Sequence, residues 1–140
     1  MRANARKEAD RWLRQARQDV SDARYAAAGA RYHLVCFLAQ QAAEKSIKAF
    51  LYATGQEDVW GHSVADLCVE AGELDPAFTE LKTSAGPLDK FYIPTRYPDA
   101  LPGGIPAEAF TAGDSEFALA AAERALEVVA ERIAALPPRP

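Results

Sequence analysis

Histidine occurs twice, cysteine twice and methionine once in 140 residues, and these scarcities close off several chemistries. His33 and His62 stand apart with no Cys, Asp or Glu cluster around either, which is a poor basis for zinc. Cys36 and Cys68 lie inside apolar helical patterns with no CxxC spacing, so buried reduced thiols are expected rather than a disulfide or a nucleophile. The phosphate-loop pattern GxxxxGK[ST], the dinucleotide fingerprint GxGxxG and the zinc motif HExxH are all absent. No metal and no cofactor is expected. The N-terminal stretch lacks the apolar centre of a signal peptide, and no run is long and uncharged enough to span a bilayer. A cytoplasmic protein is the expectation. Repeats, low-complexity stretches and strand-type alternation are missing as well.

What is present reads as helix. With 49% hydrophobic and 26% charged residues, the chain has the make-up of one ordinary globular domain, residues 1–140, able to bury a core. A net charge of −4 argues against a broad electrostatic footprint for nucleic acid but leaves room for a local patch. The basic run Arg2, Arg6, Lys7, Arg11, Arg14 and Arg17 is interrupted by Glu8 and Asp10, and reads as a solvated helix face.

The organising stretch is Arg31 to Thr54, a helix closed by Gly55. Val35, Cys36, Ala39, Ala42, Ala43, Ile47, Phe50 and Ala53 cover most of its circumference, the pattern of a helix packed on several sides. One narrow polar stripe interrupts them: Gln41, Glu44 and Lys48 at i, i+3 and i+7, with Lys45 alongside. The stripe faces either water or a site.

Before this pillar, Asn4 to about Ala28 forms a helix with Ala9, Trp12, Ala16, Val20, Ala23 and Ala27 inward. Asp19 breaks the division. It falls within roughly 20° of Trp12 on the packed face, so either it finds a cationic partner among Lys45, Lys48 and Arg96 or it sits at the stripe's edge in water. Gly29 turns the chain into the pillar, giving an antiparallel hairpin. After the pillar, Ser63 caps a short helix from Val64 to Ala71, and Asp75-Pro76 opens another from Ala77 to about Phe91, bent near Gly86-Pro87. Tyr92 to Phe110 carries four prolines and a Gly-Gly pair, so an ordered loop without regular helix is expected there, laid across the bundle. The last helix runs from Gly113 or Asp114 to Ala135, packed through Phe117, Ala120, Ala121, Ala125, Leu126, Val128, Val129, Ile133 and Leu136, and Pro137-Pro138 ends it. The fold class is all-α, an up-down bundle of about five helices.

The polar residues that could act together come from three segments: Asp19 on the first helix, Gln41, Glu44, Lys45 and Lys48 on the pillar, and Tyr92, Arg96, Tyr97 and Asp99 on the loop. Arg96 offers a fork suited to phosphate or carboxylate, with Tyr92 and Tyr97 as stacking faces. A plainer reading exists for each: Glu44 and Lys48 as a solvated pair, Arg96 paired with Asp99, and the tyrosines as glue for the loop.

In chain order, Trp12, Ala16, Asp19 and Ala23, then Cys36 to Lys48, then Gly61-His62-Ser63-Val64 with Leu67, then Tyr92 with Arg96-Tyr97-Pro98-Asp99 resemble the prokaryotic HEPN domain, whose name denotes nucleotide binding in higher eukaryotes and prokaryotes. The resemblance runs from about Arg11 through the last helix. It implies a helical bundle that dimerises and works beside a minimal nucleotidyltransferase, often as a toxin–antitoxin pair, with nucleotide or RNA as ligand. One departure counts. Ribonucleases of this family carry an Arg followed after four to six residues by His, but Leu101, Pro102 and Gly103 occupy those positions after Arg96. Without that imidazole the family's cleavage reaction loses its acid/base group. The expectation is therefore a non-catalytic binding subunit, with Arg96 as a phosphate-binding or interface residue. Two alternatives stand beside it: a ribonuclease using Glu44, His33 or His62, and a purely structural dimerisation module.

Overall fold

The structure is a computed structural model that describes residues 2–137, with side chains from Asn4 onward. The side chain of Arg2 and the expected stop at Pro138 therefore lie outside the described residues. Two long helices lead the chain, α1 (Arg2–Ala28) and α2 (Tyr32–Ala53). They pair as an antiparallel hairpin whose tight turn holds Ala30 at φ 58°, a left-handed conformation uncommon for a residue with a Cβ. Gly55, at φ 104°, ends α2 as expected.

The pillar reading of α2 is correct. Val35, Cys36, Ala39, Ala42, Ala43, Ile47 and Phe50 are buried, and α2 packs against α1, α3 (Val64–Gly72), a 3₁₀ turn at Gly86–Phe91 and the C-terminal helix. That last helix, α6, spans Ala112–Ala134. The core is held by small residues at the helix seams and by large ones between α2, α3 and α4 (Ala77–Ala85), where Phe50 and Phe78 meet at 4.4 Å.

Three local expectations need correction. The Tyr92–Phe110 segment is not free of regular structure: Pro98–Ala100 forms a 3₁₀ turn and Pro106–Ala109 forms the short helix α5. Each begins at a proline, because a residue with φ already near −65° and no N–H to satisfy suits the first position of a helix. The α-helices therefore number six among the described residues. Second, α6 starts one residue earlier than expected. Thr111 is its cap, with its Oγ1 accepting from the Asp114 N–H while Asp114 accepts from the Thr111 N–H, a capping box. Third, α6 turns a different face inward than expected: Ser115, Ala118 and Ala122 are buried, while Ala120 is exposed and Phe117 is 43% exposed.

Candidate functional site

Asp19 is 4% exposed and has its cation. Lys45 Nζ lies 2.7 Å from Asp19 Oδ2, and Gln15 Nε2 donates to Oδ1 at 3.0 Å. Lys45 was the right candidate of the three, and the packed-face reading was the right one of the two. Neither Lys48 nor Arg96 pairs with Asp19.

Lys48 is turned to Glu44 instead. The two side chains are 6% and 5% exposed with Nζ 3.2 Å from Oε2, so the pair is buried rather than solvated. The Lys48 ammonium also sits 5.5 Å from the centre of the Trp12 ring, which stacks on Tyr52. Burying an ion pair is costly unless further hydrogen bonds complete it. Glu44 obtains them from Gln41 Nε2 at 3.5 Å and from the side chain of His62, whose Nδ1 is 3.5 Å from both carboxylate oxygens. Gln41 in turn donates to Gln40 Oε1 at 2.8 Å, and buried Gln40 donates to the backbone carbonyl of His62 at 2.8 Å. The α2 stripe therefore faces inward. It anchors the loop that leads into α3.

His62 is held from a second side. Its ring stacks on Tyr92 with centroids 5.2 Å apart and planes 17° from parallel. The segment after it is fixed by Asp89, which accepts from the N–H groups of Val64 and Ala65 at 2.7 and 3.0 Å and from Ser63 Oγ at 2.8 Å. Asp89 thus sits on the N-terminal end of α3, where a negative charge is favoured.

Tyr92 carries Arg96 as well. The Arg96 guanidinium carbon lies 4.6 Å from the Tyr92 ring centre, 4.4 Å from Phe37 and 5.2 Å from Tyr97. Its Nε donates to the Tyr92 carbonyl at 2.9 Å. Among the described residues it makes no ion pair: the bond to Asp99 of the plainer reading is absent, and Asp99 is exposed on the Pro98–Ala100 turn. Nor does it meet Glu44 or Lys48 directly. The two parts connect through Tyr92 and His62, so the arrangement runs Arg96, Tyr92, His62, Glu44, Lys48, Trp12 from the surface into the bundle.

Chemically this places a charged, exposed guanidinium with its two terminal nitrogens free, among aromatic faces, beside an imidazole backed by a buried carboxylate. Phosphate oxygens are the natural complement of such a fork. In the sequence His62 stands as a lone histidine and as one alternative ribonuclease base, and Gln40 and Phe37 carry no reading of their own within the Cys36 to Lys48 stretch; the tertiary fold shows their contacts. Both thiols are buried, and burial, reinforced at Cys36 by Asp114 and at Cys68 by Asp89 against Lys82, pushes each up to about 12. They are poor nucleophiles. Among the described residues no cluster of three or more His, Cys, Asp or Glu could hold a metal ion, and no helix is long and apolar enough to cross a membrane.

The sequence pattern of the HEPN domain matches residues 9–133. The chain belongs to the HEPN family. Two solved structures share the fold. The protein TT1696 from Thermus thermophilus is 42% identical, with a TM-score of 0.84 over 89% of this chain and 98% of that one. The protein ST0689, an archaeal HEPN homologue, is 38% identical, with a TM-score of 0.75 over 90% of this chain and 98% of that one. No curated protein matches the chain. The HEPN match takes in α1 from Ala9, the α2 stripe, His62 and the Arg96 turn, so all parts of the polar chain just described belong to the shared domain.

Proposed function

We propose that this HEPN protein is a non-catalytic binding subunit that takes the phosphate groups of a nucleotide or RNA at Arg96. One observation carries the reading: the Arg96 guanidinium is exposed, tied by Nε alone to the Tyr92 carbonyl, stacked among Phe37, Tyr92 and Tyr97, and paired with no carboxylate among the described residues. A guanidinium fixed by its stem and stacking faces loses little further freedom when its fork closes on an oxyanion. Tyr97, 49% exposed, supplies an open ring for a base. Asp19, Lys45, Glu44, Lys48 and Gln41 serve as the scaffold behind this face, because their charges are already matched to one another.

The reading extends to assembly. Leu34, Ile93, Ile105 and Phe117 are each 40–48% exposed, apolar surface that supports a homodimer. The resemblance to HEPN proteins encoded beside a minimal nucleotidyltransferase supports such a protein as partner, in a toxin–antitoxin pair. Titration calorimetry of the purified protein with ATP, GTP and a short single-stranded RNA, all in EDTA, tests the binding. Heat of binding with intact RNA supports the reading; no binding of any of the three, or cut RNA, contradicts it. Light scattering and co-purification with the neighbouring gene's product test the assembly.

A further inference from the structure

The loop between α2 and α3 brings His62 to the same ring that carries Arg96. Both lie against Tyr92, the imidazole centroid at 5.2 Å and the guanidinium carbon at 4.6 Å from its centre, so the two groups are at most about 10 Å apart. Their surroundings differ in one respect. Arg96 has no carboxylate, whereas His62 has Glu44, a buried anion 3.5 Å from Nδ1.

A carboxylate can only accept a hydrogen bond, so the nitrogen facing it carries the proton. That fixes the neutral tautomer as Nδ1–H and turns the bare Nε2 lone pair away from Glu44. The side chain is 64% exposed, so this nitrogen is open to a ligand. A lone pair there repels a phosphate oxygen. A second proton reverses the sign: Nε2–H becomes a donor and the ring a cation, with Glu44 behind it. Among the described residues, the other charged groups around this loop are engaged elsewhere. Lys48 shares the Glu44 carboxylate from within α2, Asp89 is spent on Ser63 and the first N–H groups of α3, and Arg96 lies against Tyr92.

We propose that His62, once protonated, is the second cation of the Arg96 site, so that the site grips two neighbouring phosphates of a single-stranded oligonucleotide and grips them more tightly as pH falls. This rests on the reading of Arg96 as a phosphate ligand. Glu44 is the positioning residue, holding the imidazole in the tautomer whose free nitrogen faces outward.

The test is fluorescence anisotropy with a labelled oligoribonucleotide lacking terminal phosphates, so that the ligand's charge stays constant between about pH 8 and about pH 5.5. Wild type should bind roughly tenfold tighter at the acid end, the worth of one added charged hydrogen bond. His62→Gln, which has no proton to gain, should lose the acid gain and bind equally at both ends of the range. His62→Lys should bind tightly throughout. A dinucleoside monophosphate, with a single phosphodiester, should gain less from acid than the longer chain, and ADP added as competitor shows whether a free diphosphate fills the same two positions. Binding that depends on Arg96 but shows the same pH profile in wild type and His62→Gln overturns this proposal alone. Binding unaffected by Arg96→Ala, or no binding, overturns the phosphate reading beneath it too.

Discussion

Lys45 Nζ reaches across the seam between α1 and α2 to within 2.7 Å of Asp19 Oδ2, and the carboxylate it meets is 4% exposed. Two helices joined by a short turn could slide or rotate against one another if apolar packing alone held them. A buried charge permits only the register in which its partner arrives. Asp19→Ala leaves the partly exposed Lys45 free to swing into solvent, which limits the loss. It should lower stability by about 2 kcal/mol, measured by urea unfolding at neutral pH. A loss within experimental error would show that the contact is incidental.

Asp89 pins the segment that follows His62. Asp89→Ala removes three acceptor contacts at the start of α3 and should cost about 1–2 kcal/mol. A wild-type melting temperature in this variant would contradict the capping role.

A second long-range contact predicts a pH effect. Desolvation pushes the Asp75 carboxyl up, but the Ala77 N–H and Arg132, whose Nε is 2.6 Å away, outweigh it and hold the group below the usual carboxylate range. A carboxylate with a depressed folded value stabilises the fold above its unfolded value and loses that contribution as pH falls through the folded one. Arg132→Ala should therefore destabilise by about 1 kcal/mol at neutral pH. The difference from wild type should shrink below about pH 4, where the unfolded carboxyl takes up its proton. A difference that is constant with pH would disconnect the pair from stability.

Cys36 and Cys68, both fully buried and both pushed up to about 12, should resist a thiol reagent such as dithionitrobenzoate in the native protein and react fully in urea. Rapid reaction of either thiol under native conditions would show that the core opens locally.

The pillar was legible because its period is unmistakable, and Asp19 because helical phase alone places it inward. Its partner, Lys45, was one of the three cations named for it. The Tyr92–Phe110 segment reads as loop because proline breaks a helix interior, whereas Pro98 and Pro106 start short helical turns. Thr111 and Asp114 do spell a capping box in the sequence, and it marks the start of α6 at Ala112. His62 could not be found that way. Its contacts, Glu44 at 18 residues and Tyr92 at 30, exist only after α2, α3 and the Gly86–Phe91 turn have packed.

At the centre of the account is a fork of two free guanidinium nitrogens on Arg96, held ready among three rings. Its direct test is the affinity of Arg96→Ala and wild type for the same single-stranded oligoribonucleotide, measured by anisotropy at low salt, with unfolding curves recorded on both. The account predicts at least a tenfold loss, the scale of one charged phosphate contact, in a variant that unfolds as wild type does. Equal affinity in two equally folded proteins would contradict it.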